Sequence, residues 1–131
     1  MNAKQIKIKN DKLIKEFEKV LIEQQLTKKI IEKHLDNIDF FINDYLLYYD
    51  DLFETKDGIC SIDDFLGSWF ISKAMWASKD SINSNIASMK KFYTFLKNIN
   101  EINENDFKDL LLTIKQNKKN WIENLEEYDS Y

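Results

Sequence analysis

The chain has 131 residues, 44% of them hydrophobic and 14% aromatic, with a net charge of −4, two glycines and no proline. Its length suits one domain, and its apolar content is enough for a packed core, which excludes disorder. Sandwiches and barrels need turn residues every ~8–12 positions, so the lack of Gly and Pro predicts an all-α fold: a small bundle of five or six helices in a single domain over residues 1–131.

Apolar spacing places the first helix from about Asp11 to Gln25, with Leu13, Phe17, Val20 and Leu21 on one face. Thr27 is suited to cap a long second helix, in which Ile31, Leu35, Ile38, Ile42, Tyr45 and Tyr49 recur at helical intervals. Lys56-Asp57-Gly58 reads as a turn. Ser61-Ile62-Asp63-Asp64 resembles a capping box opening a third helix through Phe65, Leu66, Trp69, Phe70 and Met75. Gly67 inside that helix costs about 1 kcal/mol relative to Ala, which a closely packed neighbouring helix would offset. Ser78 or Asp80 caps a fourth helix to about Asn98, with Ile82, Ile86, Met89, Tyr93 and Leu96 as its stripe. Asn103 or Asn105 starts a fifth through Phe107, Leu110, Leu111 and Ile114, and a short terminal helix is expected around Trp121, Ile122 and Leu125.

Residues that carry chemistry are scarce. Cys60 is the single cysteine, so no internal disulfide forms and a reducing compartment is expected. The opening MNAKQIKIKNDK has no apolar stretch like a secretory signal, and no run approaches the ~20 apolar residues of a membrane span. A cytoplasmic protein without membrane contact is predicted. His34 is the only histidine and reads as a partly exposed structural residue. No metal-ligand spacing, phosphate-cradling glycine loop or dinucleotide fingerprint is present, so no metal, no cofactor and no enzyme activity are expected. Asp50, Asp51, Asp57, Asp63 and Asp64 do not match a calcium loop and read as turn and helix-start carboxylates. The aromatics Phe40, Phe41, Tyr45, Tyr48, Tyr49 and Phe53 read as core rather than base-stacking platforms, and Trp69, Phe70 and Trp76 as core or interface.

Charge falls in blocks. Residues 1–33 hold nine Lys against five acids, and residues 78–98 hold four Lys against one acid. Residues 34–77 hold two Lys against nine acids, and residues 99–131 hold four Lys against eight acids. On the fourth helix Asn83, Lys90, Thr94 and Lys97 project within about 60° of one another. Thr27, Lys28, Lys29 and Lys33 form a second basic group at a helix start, where phosphate is already favoured. All nineteen cationic side chains are Lys and none is Arg, so anions are met as point charges rather than by bidentate forks.

Three segments in order, LTKKIIEKHLDNIDFFINDYL, SIDDFLGSWFISKAMWAS and KDSINSNIASMKKFYTFLKNINEI, resemble the N-terminal core-binding (SAM-like) domain of tyrosine recombinases and phage integrases. The resemblance covers residues 26–102 or thereabouts. Its last helix shares the Ile-Asn opening at Ile82-Asn83 and the close Phe92-Tyr93-Thr94-Phe95-Leu96. It implies a helical bundle forming half of a clamp around DNA, with contacts from Thr27, Lys28, Lys29, Lys33, Lys79, Asn83, Lys90 and Lys91. Asn83 or Asn85 is expected to reach a base edge. The catalytic arginines of full recombinases have no counterpart, so Tyr128 and Tyr131 do not read as nucleophiles. Expected partners are DNA and a partner recombinase or a second copy of the chain.

A competing expectation is a protein-interaction or homodimerisation module that has lost DNA. The acidic blocks favour it, and the first helix would then pair through Leu13, Phe17 and Leu21.

Overall fold

The computed structural model describes residues 1–130, and among these all regular structure is helical. The elements are α1 (Ala3–Glu23), α2 (Lys28–Asp39), α3 (Ile62–Asp64), α4 (Phe70–Lys73), α5 (Lys79–Asn98) and α6 (Glu104–Asp129). A π-helical stretch, Phe40–Tyr45, prolongs α2, and a second one, Phe65–Trp69, joins α3 to α4. The 3-10 segment Thr55–Ser61 leads into α3. No helix of the described residues is long and apolar enough to cross a membrane.

Helix starts follow local side-chain chemistry. Asn2, Ser78 and Asn103 form reciprocal capping boxes with Gln5, Ser81 and Asp106, and Thr27 Oγ1 accepts the Ile30 N–H at 3.3 Å. Ser61 does not cap α3. The chain reaches it already coiled in the 3-10 segment, and the two carboxylates that follow turn elsewhere. Asp64 accepts the Tyr45 hydroxyl at 2.6 Å, and Asp63 accepts the Trp121 indole N–H at 2.7 Å. Helix ends are made without glycine. After α5, Asn100 takes φ 62°, its N–H bonds to Lys97 O, and Glu101 N–H bonds to Leu96 O, a Schellman stop. After α1, Gln25 takes φ 60°.

Several expected boundaries change. α1 begins at Ala3 rather than near Asp11, because Asn2 caps it and Ile6 and Asn10 continue its buried face. The fifth and terminal helices are one helix, α6, which passes through the polar run 115–120 without a break. The third helix stops at Lys73, leaving Met75 in a turn and 99% exposed rather than in the apolar stripe.

One contiguous core draws on every long helix. Leu13, Phe17 and Leu21 lie inside it, with the Phe17 ring 5.1 Å from Phe92 and 5.7 Å from Phe95. The expectation that these three residues present a pairing face is therefore corrected: α1 spends its apolar side on α5 and α2. Gly67 meets the close neighbour it implied. A Cβ there would lie 2.9 Å from Trp121 Cδ1, and Asn124 Nδ2 donates to Gly67 O at 3.0 Å. Buried polar groups tie the remaining pieces. Asn10 Nδ2 donates to Ile42 O at 3.2 Å, and its Oδ1 accepts from Thr55 Oγ1 at 2.6 Å. Tyr93 donates to Thr55 O at 2.8 Å. The wider π-helical turn leaves the Ile42 carbonyl available to Asn10.

The aromatic expectation holds in part. Phe41, Tyr45, Trp69 and Phe70 are buried, whereas Tyr48, Tyr49, Phe53 and Trp76 are exposed. The helix ends at Leu46, so the periodicity that placed Tyr49 inside no longer applies.

Candidate nucleic-acid interface

The two basic groups belong to α2 and α5, which pack directly on each other. The contact between them is a polar seam. His34 Nδ1 lies 2.7 Å from Ser88 Oγ, while Asn37 Nδ2 donates to Ser84 Oγ and Ser88 Oγ, each at 3.0 Å. Serines at these positions let the helices approach closely, and buried polar groups require partners. His34 is buried rather than partly exposed. Burial, and then the neighbouring Lys91 ammonium, lower its pKa below the usual 6.5, so the ring is neutral at pH 7. A proton on Nε2 then lets Nδ1 accept the Ser88 hydroxyl, whose oxygen accepts from Asn37.

The bonds His34–Ser88 and Asn37–Ser84 run α2 antiparallel to α5. The N-terminus of α2 therefore lies beside the later turns of α5, and Lys91 donates to Gln24 Oε1 at 3.2 Å just before α2. Helical geometry puts Lys29 and Lys33 on the α2 flank that borders α5, and Lys28 on the other flank. Lys28 pairs with Glu32 at 4.0 Å. Lys29, Lys33 and Lys91 make no ion pair among the described residues, and by helical geometry they are the candidate cations on the side of the seam. Thr27 is engaged as the α2 cap, with its side chain at the helix start.

The others separate. Lys79 and Lys90 are exposed on the outer side of α5, Lys79 at the opposite end from the α2 N-terminus. Lys97 leaves the expected stripe: its Nζ lies 3.5 Å from Glu104 and 4.5 Å from the Phe107 ring centroid, both of which belong to α6. Thr94 Oγ1 donates to Lys90 O at 2.6 Å. Asn83 has a buried Oδ1, and Asn85, the other residue expected to reach a base edge, is 1% exposed with Nδ2 donating to Ser81 O at 2.8 Å. Asn85 therefore does not reach outward to a base edge, whereas Asn83 is only half-buried. Acids interrupt the cations, with Glu32 and Asp36 on α2 and Asp80 on α5.

A cavity of about 250 Å³, which sequence reasoning missed, opens near the C-terminal end of α2. Lys33, Asp36, Asn37 and Phe40 line it from α2 and its π-helical extension, and Phe70, Trp76 and Asn85 line it from the facing elements. The signal for it was present. Ser81, Asn85 and Ser88 are polar residues on the inward side of α5, where an apolar stripe alone would not put them. Among the described residues, no three His, Cys, Asp or Glu side chains are grouped to hold a metal ion.

Compared with models of known protein families, with curated proteins and with solved structures, the chain matches none.

Proposed function

We propose that the chain binds DNA without cutting it, as a module similar to the clamp-forming domain of tyrosine recombinases. Contact is made to backbone phosphates by Lys ammonium groups. The observation that carries this reading is the gathering of Lys29, Lys33 and Lys91 about the α2–α5 seam, close to the N-terminus of α2. A helix start with unpaired cations beside it attracts a phosphate by both its N–H groups and its field. The all-helical bundle and the Thr27-capped start of α2 agree with what the resemblance implies, while the start of the Trp69-bearing helix at Ser61 is uncapped.

With three such cations, intervening acids and a net charge of −4, the affinity is low and the binding tracks the phosphate backbone more than sequence. Without Arg, and with Asn85 buried, base-edge readout from the outer face of α5 is left to the half-buried Asn83. The test is fluorescence anisotropy with a labelled duplex at low salt. Lys33→Glu/Lys91→Glu is expected to weaken binding at least tenfold while Lys118→Glu/Lys119→Glu, on α6, changes it little. Equal loss in both variants overturns the proposed surface.

A second reading is favoured by one observation. Tyr48, Tyr49, Leu52 and Phe53 are exposed together in the segment after α2, an apolar patch of the kind that meets a protein partner. A stable dimer by light scattering, with no DNA binding, would support that reading instead.

A further inference from the structure

We propose that the cavity between α2, α4 and α5 receives a single unpaired nucleobase. The inference deepens the DNA-binding reading and rests on it for the source of the base.

Three aromatic rings form the cavity wall. Phe40 lies just past α2, Phe70 in α4 and Trp76 in the α4–α5 connection, with the Trp76 ring 5.2 Å from Phe40 and 6.3 Å from Phe70. Trp76 is 55% exposed, so much of this aromatic side chain on the cavity wall is open to a flat ring arriving from solvent. Opposite in chemistry stands Asn85. Its amide nitrogen is turned back along α5 to Ser81 O, which fixes the orientation of the group. Its Oδ1 is buried and has no protein partner. An acceptor in that state calls for an N–H donor. At the rim, the exposed Asp36 is a second acceptor and the exposed Lys33 is a cation.

A flat ring with N–H groups, attached to a phosphate, matches all three demands at once. Adenine, cytosine and guanine each carry an exocyclic amine and so fit. In a duplex these edges are paired and the faces stacked, so only a base already out of the stack can enter. The base can come from an extrahelical position in DNA or from a free nucleotide, and the two are separable by experiment. The sequence leads to the expectation that Asn83 or Asn85 meets a base edge. The burial of Asn85 moves any such meeting by that residue into the cavity.

The probe is 2-aminopurine, a fluorescent isomer of adenine that is quenched on stacking. Three forms are titrated with the full chain: a duplex with one extrahelical 2-aminopurine, the same duplex with the probe paired, and free 2-aminopurine deoxyribonucleoside monophosphate. The extrahelical duplex is expected to bind at least fivefold more tightly than the paired one and to be quenched. Trp76→Ala, at an exposed turn position, should remove both the preference and the quenching while leaving affinity for the paired duplex unchanged. Asn85→Leu should weaken the extrahelical complex about tenfold, the effect of one hydrogen bond. Equal, unquenched binding of both duplexes overturns the cavity site and leaves the DNA reading standing. Saturable quenching of the free nucleotide alone, lost in Trp76→Ala, keeps the cavity site and overturns the DNA reading. Binding of no probe overturns both.

Discussion

His34 Nδ1 and Ser88 Oγ meet at 2.7 Å in a buried seam, and this contact sets the register of α2 against α5. Everything proposed about Lys29, Lys33 and Lys91 depends on that register. Its weak point is charge, because an imidazolium there would be desolvated and would lie near the Lys91 ammonium.

The pH dependence of stability follows from this. The folded pKa of His34 lies below the usual 6.5, whereas the unfolded chain keeps the usual value. As pH falls below about 6.5 the unfolded state takes up the proton first, so stability is full above that value and declines as pH falls toward the folded pKa. Asp44 works in the opposite sense at lower pH, because burial and the nearby Asp39 raise its carboxyl above the usual range. Urea midpoints measured from pH 7.5 down to 5 should fall in wild type and stay flatter in His34→Gln. An equal slope in both removes His34 from the explanation.

Truncating Phe17 tests whether α1 is part of the core. Its ring is fully buried against Phe92 and Phe95, so Phe17→Ala should cost about 3–5 kcal/mol of unfolding free energy. A variant that loses less than about 1 kcal/mol and changes only its oligomeric mass would instead restore the pairing role for α1.

Gly67→Ala sets two effects against each other. Ala gains about 1 kcal/mol of helix propensity over Gly. Its methyl, however, meets the Trp121 ring at 2.9 Å, and that ring is buried and held by the bond to Asp63. Overpacking against an anchored ring costs about 1–3 kcal/mol, so net destabilisation is expected in thermal melts. A raised melting temperature would show that Trp121 can shift.

Much of the fold was legible because its signals are local. Thr27, Ser78 and Asn103 each place an acceptor at the first free N–H groups of a helix, and the structure uses all three. Gly67 announced a close neighbour, and Trp121 is that neighbour. The failures have physical causes too. Ser61 looked like a cap, but the preceding 3-10 turn supplies the chain already coiled. The run from Lys115 to Asn120 has no apolar residue to mark the face of α6, so Trp121 read as a new helix. The interface was legible only as charge along the chain. Its seam consists of His34, Asn37, Ser84 and Ser88, polar residues that a search for apolar periodicity passes over. For the same reason the burial of Asn85 and the cavity it lines were invisible.

The most direct measurement of the central claim is the salt dependence of duplex binding by the wild-type chain. Three phosphate contacts from Lys29, Lys33 and Lys91 give a slope of about −3 in log affinity against log salt. Lys33→Glu/Lys91→Glu should reduce that slope by about two. Binding whose affinity is independent of salt, or no binding at the lowest ionic strength, would contradict DNA recognition through these lysines.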